Sequence, residues 1–202
     1  MRNNIKKIAA LLLILTIAFS LVGCGEIQKA ETTINQTFKA LKELDFETAS
    51  NYINVDEMME SDNSTDIDSD VFAQNLFGKL EYKIISSEKI DNNTVTVKTE
   101  ITAVDMKPVL TEYFQKALQY AFANAFADPQ PSEEETNKKM EEIFIECISK
   151  EDLVMVKTEV DIKVIKTDKK WKIESSDELS NALLGGLVKA AEELSNSFND
   201  IE

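Results

Sequence analysis

Histidine is absent from all 202 residues, and that removes much of the chemistry a small domain can perform. Ser-His-Asp and Cys-His nucleophile pairs, and every His-ligated metal site, are excluded at once. Cys24 and Cys147 are the only two thiols. Cys147 falls on the apolar face of a predicted helix beside Glu146, which favours an inert thiol over an activated one. Tyr113 and Tyr120, with Glu112, could act as acid and base near an apolar wall, although an aromatic stripe at helical spacing reads first as core. Thr99 and Thr158 hold equivalent positions in two predicted strands, on otherwise apolar rows, where a hydroxyl could meet a small ligand or simply pack. Between Glu43 and Gly78 lie ten carboxylates and no Lys or Arg, and hard cations want clustered oxygens. An EF-hand register from Asp66 puts Val71 at the turn glycine and Phe77 at the bidentate Glu; one from Asp62 puts Ile67 and Ala73 there. Both fail, so the acidic loop 56–70 reads as a solvated stretch leading into a helix near Asp70. No cofactor or metal set emerges.

The beginning of the chain is more specific. Arg2, Lys6 and Lys7 precede an uncharged run over 8–22, the layout of a secretory signal. That run of 15 residues is shorter than the ~20 a spanning helix needs. Leu21-Val22-Gly23-Cys24 resembles the lipobox of bacterial lipoproteins. The resemblance implies cleavage between Gly23 and Cys24, diacylation of the Cys24 thiol, and anchoring to the outer face of the cytoplasmic membrane. Two acyl chains give stable anchoring where one is marginal. Residues 1–23 are then a removed leader and 24–202 a single lipid-anchored domain, with only Cys147 left and no internal disulfide possible.

The formal net charge is −15, and the leader carries three cations and no acid, so the remainder stands at −18. Such a surface repels nucleic acid and anionic lipid, which excludes DNA or RNA as partners. It also implies that the lipid, rather than a basic patch, holds the protein at the membrane.

The elements that must position these residues follow from periodicity. Ile27, Ala30, Ile34, Phe38, Leu41 and Leu44 predict an amphipathic helix with hardly any spacer after Cys24, and Asp45 caps a second, short one. Two hairpins are predicted: 80–90 with 94–104 about Asp91-Asn92-Asn93, and 154–164 leading through Thr167-Asp168-Lys169-Lys170 into Trp171. Val95-Thr-Val-Lys-Thr-Glu-Ile101 and Val154-Met-Val-Lys-Thr-Glu-Val160 are alike, which reads as two strands in similar surroundings rather than a repeat. A helical hairpin over about 106–150 separates them. Its stripe from Leu110 to Phe126 is expected to pack on the sheet, Asp128-Pro129-Gln130-Pro131 ends its first helix, and Ser132 with Glu135 opens the second. A closing helix carries Leu179 to Phe198, and Gly185-Gly186 weakens its middle by roughly 1 kcal/mol per glycine, reading as a kink or a close packing contact.

The fold class is therefore α+β: a curved antiparallel sheet of two hairpins packed on N- and C-terminal helices. The opening helix, the Leu44-Asp45-Phe46-Glu47 turn into Ala49 and Tyr52, and Asp168-Lys169-Lys170-Trp171-Lys172-Ile173 on a late strand resemble small Gram-positive lipoproteins with a cystatin-like, nuclear-transport-factor-two-like domain. The resemblance implies a sheet wrapped on a helix around a conical cavity, which Thr99, Thr158, Tyr113 and Trp171 would line and the insertion could plug, although Trp171 reads most simply as a core anchor on the late strand. Enzymes of that superfamily use an Asp-His or Tyr-Asp pair; the first cannot exist here and the second does not align, so no catalytic role carries over. The expected function is a non-catalytic binding or interaction module at the cell envelope, taking a small apolar ligand or an envelope protein. An enzyme with a carboxylate or Tyr base, and an accessory substrate-binding lipoprotein, are the alternatives.

Overall fold

The computed structural model describes residues 24–55 and 69–199. The leader with Leu21-Val22-Gly23, and the acidic run over 56–68, lie outside the described residues, as do the side chains of Cys24 and Phe198.

Helix α1 (Cys24–Lys42) is the first element of the described residues. Ala30, Ile34, Phe38 and Leu41, at steps of three and four, are fully or almost fully buried. Thr33 and Thr37 share that buried edge, and their hydroxyls donate to the carbonyls of Lys29 (3.0 Å) and Thr33 (2.8 Å), so no polar group is stranded. The helix stops because Leu44 turns left-handed (φ 58°). The Asp45 N–H then reaches the Ala40 carbonyl (2.8 Å) and the Leu44 N–H the Leu41 carbonyl (3.1 Å), the bonding pattern of a Schellman end. Asp45 in turn caps α2 (Phe46–Ser50), accepting from the Thr48 N–H at 3.0 Å. Helix α3 (Ser69–Phe77) leads into the sheet.

The sheet has four antiparallel strands in sequential order: β1 (Glu81–Lys89), β2 (Thr94–Val104), β3 (Met155–Thr167) and β4 (Lys170–Ile173). Val95, Val97, Thr99, Ile101 and Ala103 of β2, with Val160, Ile162 and Val164 of β3, form a buried inner row under α1 and α6 (Asp177–Leu183). The opposite face is wet. There the two similar heptapeptides meet: Glu100 stands opposite Glu159 in register, and the strands exchange diagonal ion pairs, Lys98 with Glu159 (2.8 Å) and Lys157 with Glu100 (2.9 Å). The likeness of the two strands is thus a local two-fold pairing that neutralises an otherwise repulsive carboxylate pair.

One expectation is refined and one needs correcting. The closing helix is broken: α6 ends at Leu183, and α7 (Leu187–Asn199) begins after Gly185 and Gly186, whose φ values are 57° and 79°. Gly185 passes directly over the end of β2, its carbonyl accepting from the Met106 N–H (3.0 Å). A Cβ there would lie 1.7 Å from the Val104 oxygen. The helical insertion, α4 (Met106–Asn124) and α5 (Glu133–Ile148), packs on itself, α3 and α7 rather than across the sheet.

Gly185→Ala is therefore expected to cost about 3 kcal/mol or more, lowering Tm by about 6–12 °C. Gly186→Ala has open space around its Cβ and costs only about 1 kcal/mol through its positive φ. Urea and thermal unfolding of the two variants measure the difference; equal losses would contradict the close contact at Val104.

Candidate functional site

The insertion forms a two-helix arm. Its root is core: Met106, Val109 and Leu110 on α4, and Ile143, Phe144, Cys147 and Ile148 on α5, are buried. Between Thr111 and Glu142 no described residue is buried, so the outer part of the hairpin projects into solvent. Local chemistry holds its shape. Asp105 caps α4 by accepting from the Lys107 N–H (3.0 Å). Ser132 and Glu135 close a capping box on α5, with the Ser132 N–H on Glu135 Oε2 at 2.8 Å and the Glu135 N–H on Ser132 Oγ at 3.2 Å. At the root Tyr113 stands edge-on to Phe114 and Phe144 (centroids 5.4 and 5.5 Å), and Phe72 of α3 meets Phe144 at 5.9 Å.

One flank is ionic. Lys116 bridges Glu112 (3.0 Å) and Glu146 (2.7 Å), and Lys150 reaches Glu112 as well. Hydrogen bonds from Lys150 and then Lys116 hold the Glu112 carboxyl below its usual 4.5. A base that works near neutrality needs the opposite displacement. Burial raises both the Tyr113 hydroxyl and the Cys147 thiol above their ordinary values, so Cys147 is a packed thiol and not a reactive thiolate.

The other flank is apolar. Leu118, Phe122 and Phe126 are 46, 75 and 98 % exposed. Leu118 lines an open groove of about 460 Å³ together with Phe114, Ala117, Ala121, Ala125 and Met140, while Phe122 and Phe126 stand exposed next in sequence to its lining residues Ala121 and Ala125. The aromatic stripe that periodicity assigns to the core is core only at its lower end. Exposed large aromatics in a row, unlike scattered single ones, are the informative departure.

The four residues expected to line a cavity are not brought together at this groove. Thr99 is completely buried beneath the helices, its hydroxyl on the Val97 carbonyl at 3.4 Å. Thr158 is half-buried on the same inner face, opposite Ile101. Trp171, 7 % exposed, anchors β4, and its indole N–H has no hydrogen-bond partner among the described residues. Tyr113 sits apart, in the arm's root. Their rows are apolar because they are core, and hydroxyls at such positions pack as strand formers do. The groove itself had one signal in the sequence: a stripe nine apolar residues long on a helix whose partner, α5, offers few to cover it.

No protein-family model matches the chain, and no curated protein matches it. A crystal structure of the Bacillus subtilis "putative lipoprotein" ycdA is similar to 55 % of this chain, at 20 % identity and a TM-score of 0.42. The match covers 35 % of that chain, so the likeness spans about a third of the Bacillus protein's length.

Replacing Phe122 and Phe126 by Ser should leave stability within about 0.5 kcal/mol, whereas Phe144→Ala should cost about 3–5 kcal/mol; urea unfolding checks both, and a large loss from the first pair would mean that the arm folds back into the core. Because Glu112 ionises more readily folded than unfolded, its ion pairs contribute fully above pH 4.5 and are lost as pH falls through its lower folded value. Glu112→Gln should accordingly lower Tm at neutral pH and leave it nearly unchanged in acid; a loss independent of pH would contradict the ionic role.

Proposed function

We propose that the protein is a lipoprotein of the outer face of the cytoplasmic membrane, cleaved after Gly23 and held by a diacylglyceryl group on Cys24, and that it is a non-catalytic interaction module whose arm receives an envelope protein. The observation that carries the second half is the exposure of Phe122 and Phe126, next in sequence to residues that line the apolar groove. An amphipathic helix of a partner, with apolar residues at three- and four-residue steps, fits an open groove with projecting aromatic edges. A small apolar ligand would lie with one side in water there, and so is the weaker occupant. The downward displacement of the Glu112 carboxyl supports the non-catalytic reading.

The lipid anchor is supported by the basic-then-apolar leader and its Leu21-Val22-Gly23-Cys24 ending. We also read the domain as cystatin-like, of the nuclear-transport-factor-two-like kind. What supports this is α1 lying against all four strands of a sequentially ordered antiparallel sheet, with the arm inserted between β2 and β3.

Photo-crosslinkers placed at Phe122, at Phe126 and at exposed Lys83 on the wet face, in the full chain in its own cells, test the reading. The same protein should be captured from both arm positions, and not from Lys83. Cys24→Ser should abolish both membrane partition and capture. Adducts to lipid alone, or equal capture from Lys83, would contradict it.

A further inference from the structure

One end of the sheet in this acidic chain carries a basic segment, beside a β1–β2 turn that holds Asp91. Cys24 lies on α1, and Glu26, two residues on, pairs with Lys89, the last residue of β1, at 3.4 Å. The anchor residue therefore lies beside the β1–β2 turn. The Lys166 N–H donates to the Asn93 carbonyl at 2.7 Å, which brings the β3–β4 turn to the same end. That turn is tight, with Asp168 and Lys169 both left-handed (φ 52° and 68°). Residues 166–172 hold four lysines against one carboxylate, Asp168, a +3 segment in a mature chain of −18. Lys169, Lys170 and Lys172 are exposed, and neighbouring Ile90 is 58 % exposed.

We propose that this end is a membrane-contact face: the β3–β4 lysines meet anionic phospholipid headgroups while Ile90 enters the interface, so that the protein stands on the bilayer in one orientation. The inference rests on the lipid-anchor reading, since acylated Cys24 brings the turns to the surface. It revises the expectation from composition that the lipid acts without a basic patch. A net charge summed over the chain says little when the Debye length is only about 10 Å at 0.1 M salt; what the headgroups meet is this end, where the four lysines of 166–172 outnumber Asp168 and the exposed Asp91 of the β1–β2 turn. Juxtamembrane lysines are attracted to anionic leaflets individually.

The test uses the full chain, expressed with its leader and purified lipidated, in phosphatidylcholine vesicles and in vesicles of equal parts phosphatidylcholine and phosphatidylglycerol. Amide hydrogen exchange over 90–93 and 166–170 should be on the order of fivefold slower on the anionic vesicles, the equivalent of one lysine–headgroup attraction. A Lys169→Glu, Lys170→Glu variant should lose that difference while still floating with both vesicle types. Equal exchange on the two vesicles, or a variant that keeps the protection, overturns the contact face alone. A chain that floats with neither vesicle overturns the anchor, and the contact face with it.

Discussion

The packing of α1 onto the inner row of the sheet is the contact on which the other features depend. Ile34, Phe38 and Leu41 are buried completely or nearly so, worth about 1.5–3 kcal/mol each and on the order of 5–9 together. That compares with the ~5–15 kcal/mol net stability of a whole domain, so α1 cannot leave the sheet without unfolding it. Polar rungs fix where along β1 it lies: Glu26 on Lys89 (3.4 Å), Glu31 on Ser87 (2.7 Å) and Asn35 on Tyr82 (2.9 Å). A helix held this firmly turns its first residue into a fixed point relative to both nearby turns.

The two ends of the sheet then differ in kind. The end beside Cys24 presents short turns and lysines. The other end, where β2 finishes at Val104, is where the arm is rooted, under the Gly185 crossing. β2 spans about 35 Å at the usual strand rise, and α4 is about 28 Å long. Even an arm folded straight back would stop short of the end beside Cys24. Under the proposed anchor, this apolar surface neither reaches the bilayer nor enters the core, which is why a protein partner is the proposed occupant.

Much of this was legible in residue types. Alternation in β2 sorted Val95, Val97 and Ile101 from Thr96, Lys98 and Glu100 correctly, because a strand with one wet face has no other stable arrangement. Asp45 and Ser132 declared helix starts through short side chains that reach back to the backbone. Spacing could not show that Gly185 crosses Val104, which depends on two elements 81 positions apart in the chain. Nor could it separate the buried from the exposed end of the Leu110 to Phe126 stripe, since periodicity records a face and not what covers it. The matching Lys-Thr-Glu stretches gained their meaning only once Glu100 and Glu159 were seen opposite one another. The lysines of 166–172 vanished into a negative total for the same reason: summation discards position.

The orientation of the lipidated protein tests the account most directly. Fluorophores at Asn92 and at Phe126, in vesicles carrying spin-labelled headgroups, report which end of the molecule is at the surface. Strong quenching at Asn92 with little at Phe126 is the predicted result. Stronger quenching at Phe126 would contradict it, because the arm and not the turn would then be the part in the membrane.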